Sequence, residues 1–428
     1  MSEAMPKAMT EGALSKEKKL SSLFAFKSFI YLLLARVISH FGDSIDAIAY
    51  SWMVYKLTGS EIMMGTLFAL NYVPGILLNF FSGALVDRWS KRKVLLVTYS
   101  LRGSLVIFTA LLYWLGWLLP WHLYVITLFI ATIECFSYPA EMALVPNLLP
   151  KEKLLSANSI STSATRTAEL AGLAIAGGII AFLGISGAIL INGITFFAAT
   201  TLIVFIRTHE EKTASPDKNE STEPQSFFKD VKIGLKFLAS NRLIITIVIA
   251  AAYVNLCLAP YNVLTPVYVA EILKSGPQGL SMLGIGLISG MIVSSLWISR
   301  KGSKFKKCQL ILIGYMMLGL SYALLYLPTL VHINSIYLAI IITFCMGLSV
   351  SLVSTPSSTY FMETVPKELL GRVGAIYGMV CTIAVPIGGS LAGILGGWIK
   401  VDILFLIFGL LMILPFFYLL SQKSFRQI

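Results

Sequence analysis

The sequence predicts an all-α polytopic membrane protein, with twelve transmembrane helices in two pseudo-symmetric six-helix bundles. Three observations carry that prediction. Of its 428 residues, 57% are hydrophobic and only 13% charged, where a soluble domain is about a quarter charged. Apolar runs such as Leu243 to Ala270 and Cys308 to Leu330 exceed the roughly 18 residues that cross hydrocarbon as a helix. In lipid a spanning segment must satisfy its own backbone polar groups, which makes these runs helices. Finally, the chain echoes itself. "PAEMALVPNLLPKEKLLSANSI" from Pro139 corresponds to "PSSTYFMETVPKELLGRVGAIYG" from Pro356, with Pro150 and Pro366 216 residues apart. An offset near half the chain signals a duplicated six-helix unit.

Taken in order, Met1 to Lys27 is a polar, basic tail, and the apolar segment after it is too long for a cleaved signal. Charge clusters, Gly and Pro then delimit spans at 28–55, 62–86, 94–117, 121–146, 154–183 and 187–206, the first bundle (28–206). The stretch 207–242, containing "EEKTASPDKNESTEPQ", reads as a linker. Its part from Phe227 to Phe237 is expected as an amphipathic helix on the membrane surface. Spans at 243–270, 279–299, 308–328, 333–361, 371–397 and 402–420 form the second bundle (243–420), followed by the tail 421–428.

Lys and Arg orient these spans. One set of loops carries Arg88, Lys91, Arg92, Lys93, Lys151, Lys153, the bases of 207–242, Arg300 to Lys307, Lys367 and Arg372, and the tails add more. The opposite loops carry only Lys56, Lys274 and Lys400. The positive-inside rule places both termini in the cytoplasm of a plasma-membrane protein. The net charge of +12 follows from this bias and from attraction to anionic headgroups, so no nucleic acid is invoked. Trp114, Trp117 and Trp121 fall where interfacial anchors belong.

Five cysteines without paired spacing and four scattered histidines indicate neither a disulfide framework nor a metal site. The absence of a Gly-x-x-x-x-Gly-Lys loop and of any nucleophile–base constellation argues against an enzyme or a bound cofactor.

The stretch Gly83-Ala-Leu85-Val-Asp87-Arg88-Trp-Ser-Lys91-Arg92-Lys93 resembles the loop 2–3 signature of the major facilitator superfamily, Gly-x-Leu-x-Asp-Arg-x-Gly-Arg-Arg/Lys. Ser90 replaces the second glycine. "RVISHFGDSIDAIAYSWMVYKLTGS" from Arg36 and "PKELLGRVGAIYG" from Pro366 resemble that family's twelve-helix efflux branch, which includes macrolide efflux proteins and the enterobactin exporter. The resemblance covers nearly the whole chain. It implies secondary active export of amphipathic small molecules by alternating access. In "ELAGLAIAGG" the exporter motif of helix five keeps Gly172, Gly177 and Gly178 but has Leu173 where proline is expected; a proline stands instead at Pro386. The resemblance also implies that helix two meets helix eleven. Gly83 would let the two approach closely, and Asp87 would face the positive N-terminus of helix eleven at Gly371-Arg372. Arg88 or Arg92 would pair with Glu141, giving a latch that favours the outward-facing state.

Charges inside hydrocarbon cost at least about 2.5–3.5 kcal/mol each near its centre, so they mark function. Arg36, Ser39, His40, Asp43, Asp46 and Tyr50 share one stripe of the first span, Glu134 and Glu141 one face of the fourth, and Arg166 and Glu169 one face of the fifth. The C-terminal spans have no such interior charge. Counting Asp43, Asp46, Glu134 and Glu169 against Arg36 and Arg166 leaves two negative charges. Asp43 or Glu134 is expected to exchange the proton, with Asp46 close by, and Arg166 with Glu169 to form a local ion pair. An acidic excess suits a cationic or neutral cargo better than an anion. Tyr50, Trp52, Tyr72, Tyr138, Tyr253 and Tyr377 are candidate cavity aromatics. The expected partners are therefore a small-molecule substrate, protons and lipid, with the chain a monomer. Alternatives are export of a defined metabolite such as a siderophore, uncoupled facilitation, or a non-transporting receptor or scaffold on the same fold. A scaffold gives no reason for buried acids.

Overall fold

The computed structural model describes residues 23, 26–150, 153–207, 232–233, 235–331, 335–366, 369–422 and 425–427. Among these the chain is helical apart from short connections, with no strand. The N-terminal tail, most of the 207–242 linker including Phe227 to Asp230, and part of the C-terminal tail lie outside the described residues. Residues 232–233 and 235–237 of the expected amphipathic segment are helical, and the helix runs on to 240.

The N-terminal half contains α1 (Lys27–Thr58), α2 (Glu61–Arg88), α3 (Lys91–Trp114) and α4 (Pro120–Leu148). The helical run Leu154–Val204 follows, broken at Gly184, whose φ of 71° is left-handed. Its arms, 154–183 and 185–204, are α5 and α6. The C-terminal half contains α7 (Arg242–Glu271), α8 (Pro277–Lys301), α9 (Lys307–Leu324), α10 (Ser335–Thr364), α11 (Leu370–Gly396) and α12 (Val401–Leu411, continued by Leu414–Ser421).

Among the described residues, ten helices are long and apolar enough to cross a membrane. One of these is the broken α5–α6 run, which supplies two spans. The other difference from the expected twelve is α1, whose composition is polar for a span because of its charged stripe. Helix starts in the second half fall 215 or 216 residues after their counterparts: 27 and 242, 61 and 277, 91 and 307, 120 and 335, 154 and 370, 185 and 401. The duplication read from one motif pair therefore runs through the whole fold.

Local chemistry sets the helix ends. Gly59, at φ 55°, closes α1 by donating its N–H to the Tyr55 carbonyl. Ser60 caps α2 by accepting from the Met63 N–H, and Asn241 caps α7 through the Ile244 N–H. Ser90 accepts from the Lys93 N–H and caps α3. The serine that departs from the family signature thus has a structural role.

In the first half α1 and α3 pack along the α5–α6 run, and α2 and α3 pack on α4; in the second half α10 packs on α8 and α9, and α11 on α7. The halves meet chiefly through two pairs, α2 with α11 and α5 with α8. Both contacts are seated on glycine in the distal half, the half away from the chain termini. A Cβ on Gly65 of α2 would lie 2.6 Å from the Gly389 carbonyl oxygen and 2.8 Å from Gly393 Cα of α11. One on Gly177 of α5 would lie 2.7 Å from Gln278 Cα of α8, and the Gly177 N–H donates to Ser281 Oγ at 2.9 Å. In the proximal half a Cβ on Gly83, Gly374 or Gly378 would meet nothing within 4 Å. The halves are therefore closed at the distal end and parted at the other. The close approach on α2 in this state is at Gly65, and Gly83, expected to meet α11 in the outward-facing state, has no neighbour within 4 Å of a Cβ.

Gly65→Leu has no room beside the α11 backbone. It is expected to pry the distal seam open and raise alkylation of a cysteine at position 61 about tenfold, in a background lacking the five native cysteines, with membrane level retained. An unchanged labelling rate would count against the seat.

Candidate transport cavity

The polar stripe of α1 is matched, turn by turn, by groups on four neighbouring helices. Arg36 Nε lies 3.2 Å from Glu141 Oε2 of α4, with both side chains close to nine-tenths buried. The other oxygen, Glu141 Oε1, accepts from the Tyr99 hydroxyl of α3 at 2.6 Å. One turn on, His40 Nδ1 is 3.2 Å from Glu169 Oε1 of α5, and Glu169 Oε2 accepts from Arg166 at 2.7 Å. The expected Arg166–Glu169 ion pair is present, with Arg166 largely exposed.

Asp43 Oδ1 sits 3.4 Å from Arg102 Nη2 of α3 and 3.5 Å from Asn192 Nδ2 of α6. The Arg102 guanidinium also covers the Phe196 ring, 4.5 Å from its centroid. Gly42 permits this, since a Cβ there would lie 2.6 Å from Asn192 Oδ1.

Arg102 is the residue that the sequence reading missed. It lies inside an apolar span, so the criterion applied to α1, α4 and α5 would have found it. Its charge corrects the tally of four acids against two arginines. A second correction concerns Glu141, expected to bind Arg88 or Arg92. It is taken by Arg36 and Tyr99 because it points into the bundle. Arg88 is exposed at the end of α2, and Arg92 donates to the carbonyls of Ile203 and Val204. These belong to the last turn of α6, where a cation suits the negative helix end. Arg372 stands exposed in the first turn of α11. The Asp87 side chain and the surroundings of Gly371 lie outside the described residues.

Of the four candidate acids Asp43, Asp46, Glu134 and Glu169, two are without an ion pair among the described residues. Glu134 is exposed on α4. Asp46 has a buried carboxylate oxygen, Oδ1, with no hydrogen-bond partner. Asp46 lines a cavity of ≈ 360 Å³ between the halves, together with Tyr50, Asn71, Thr127, Phe68 and, from α7, Asn262 and Val263. Tyr50 and Thr127 hydroxyls bond each other at 2.7 Å. Of the other candidate aromatics, Trp52 is buried in the core against Tyr55, and the Tyr253 hydroxyl donates to the Leu411 carbonyl. Both depart from the expected cavity role. The buried acid of the second half, Asp402, also has an Oδ1 without a hydrogen-bond partner, but it lies off this cavity in the first turn of α12, where the helix dipole favours a negative charge. No group of three or more metal-ligating side chains occurs among the described residues.

A family model described as Major Facilitator Superfamily matches residues 32–389. The chain is 24% identical over 389 residues to macrolide efflux protein A of Streptococcus pyogenes, covering 90% of this chain and 93% of that protein. It is 24% identical over 373 residues to the multidrug efflux pump Tap of Mycolicibacterium fortuitum, covering 85% and 88%. Among solved structures, the nucleoside transporter NupG matches with TM-score 0.72 at 12% identity, over 92% of this chain and 100% of that one. A bacterial homologue of the iron transporter ferroportin, in its inward-facing state, matches with TM-score 0.72 at 15% identity, over 92% and 99%. At these identities the two structures establish the fold alone.

Arg36→Leu would leave the Glu141 carboxylate buried beside Tyr99 without its cation. The expected loss is about 3–5 kcal/mol of stability, largely recovered by Arg36→Leu with Glu141→Gln, as read from thermal unfolding of purified protein. Equal melting of the single variant and the wild type would contradict this.

Proposed function

Because the chain belongs to the Major Facilitator Superfamily, and is therefore a multi-pass secondary transporter of small molecules rather than an enzyme, we propose that it exports amphipathic, cationic or neutral molecules in exchange for protons. The observation that carries this reading is Asp46, which lines a cavity between the two halves and has one buried carboxylate oxygen without a hydrogen-bond partner. A buried carboxylate oxygen without a hydrogen-bond donor is costly. It is relieved by either a proton or a cationic cargo, and competition between these two is the requirement for exchange. The distant likeness to macrolide and multidrug efflux proteins supports the same direction of transport.

The proton-exchanging acid in this proposal is Asp46, ahead of Asp43 and Glu134. Asp43 is engaged by Arg102 and Asn192 and serves to hold α1, α3 and α6 together. Glu134, exposed and acting through space on that pair, attracts cationic cargo toward the cavity. With both termini in the cytoplasm, the distal seam faces outside. The closed Gly65 and Gly177 seats then define a state that loads cargo from within. Return to the outward-facing state closes the proximal ends of α2 and α11, where Asp87 and the N-terminus of α11 form the latch.

In proteoliposomes, the wild-type chain is expected to couple a proton gradient to uphill movement of ethidium. Asp46→Asn is expected to lower the coupled rate at least about tenfold at unchanged protein level. Coupled transport at the wild-type rate in that variant would remove Asp46 from the role. No proton flux in the wild type with any lipophilic cation would refute exchange.

A further inference from the structure

The cavity offers more than a negative charge. Its walls are mainly apolar, formed by residues such as Met64, Leu67, Phe68 and Val263. Into this surface project the amides of Asn71 from α2 and Asn262 from α7, both exposed to the cavity. Neither amide makes a hydrogen bond among the described residues, whereas the nearby Tyr50 and Thr127 hydroxyls satisfy one another. The two amides belong to opposite halves of the molecule, on helices that pack together.

We propose that the cargo is a lipophilic amine carrying a hydroxyl or carbonyl group, with its nitrogen at Asp46 and that polar substituent held between Asn71 and Asn262. This deepens the export reading and rests on it. The chemistry divides cleanly. A carboxylate selects positive charge and rejects anions. A primary amide is neutral, with two donors and one acceptor, so it reads a hydroxyl or carbonyl irrespective of charge. A cargo reaching both amides spans the two halves, and closure around it leaves both amides bonded. A cation lacking the substituent strips water from them and returns nothing, the costly outcome for a polar group. Asn71 and Asn262 are thus specificity-determining residues, while Asp46 supplies the charge requirement common to all cargo.

The test is calorimetric binding to the full-length chain in nanodiscs, using propranolol and its deoxy analogue. These share the aromatic body and the amine and differ only in the hydroxyl. The wild type is expected to prefer propranolol about tenfold. Asn71→Leu and Asn262→Leu should each bring that preference near unity, by weakening propranolol and relieving the deoxy analogue of the desolvation cost. Asp46→Asn should weaken both ligands alike. A preference that survives both leucine variants, or equal loss of both ligands in both variants, overturns the amide assignment. If one variant does not fold, the other, on the opposite half, decides. Equal wild-type affinity for the two amines also overturns it while leaving export intact. Binding of neither amine by the wild type overturns the export reading and this one together.

Discussion

A charge held between membrane helices is tolerable only beside an opposite charge or a dense set of hydrogen bonds, and the N-terminal half of this protein is arranged around that requirement. α1 is its spine. Successive turns place Arg36 against Glu141, His40 against Glu169, and Asp43 against Arg102. Each partner comes from a different neighbour, α4, α5 and α3, so one polar stripe fixes the relative register of four helices. Hydrophobic packing alone does this poorly in lipid, because tails solvate an apolar helix as well as another helix does. The unpaired member of the stripe, Asp46, is the one that lines the cavity.

The second half repeats the first in helix spacing but not in chemistry. Helix starts recur at 215 or 216 residues, yet the charged positions of α1, α3, α4 and α5 have apolar, small or hydroxyl-bearing counterparts. The seam between the halves is correspondingly of another kind. Gly65 against Gly389 and Gly393, and Gly177 against Gln278 and Ser281, bring backbones into contact with almost no side chain between them. Such seats are close-fitting yet carry no buried ion pair. They separate at low electrostatic cost, whereas the charge network inside the first half would not. That contrast lets each half move as a rigid body.

Several features were legible because their signal is local in sequence. Span length, the Pro-Lys-Glu echo and the loop 2–3 signature are each read from one continuous stretch, and the family match over residues 32–389 agrees with the signature. Arg102 was equally legible in principle, as a cation inside an apolar run. Glu141 was not. From sequence it stands near the proximal end of α4, close to Arg88 and Arg92. Its selection of Arg36 and Tyr99 depends on the direction in which α4 turns within the bundle. Gly83 was not decidable from sequence for a related reason. A glycine permits close approach, but whether a neighbour comes depends on the state of the whole molecule.

By itself, then, the sequence determined that the chain is helical, crosses the membrane repeatedly, is built by duplication and concentrates its charge in one half. These follow from hydrophobicity, length and periodicity, which act along the chain. The tertiary structure decided which acid each arginine neutralises, which acid lines the cavity, and at which end the halves meet in this state. Those outcomes depend on how helices far apart in sequence are rotated and tilted against one another. Coulombic pairing and backbone contact vary over a few ångströms, a distance that no linear pattern specifies.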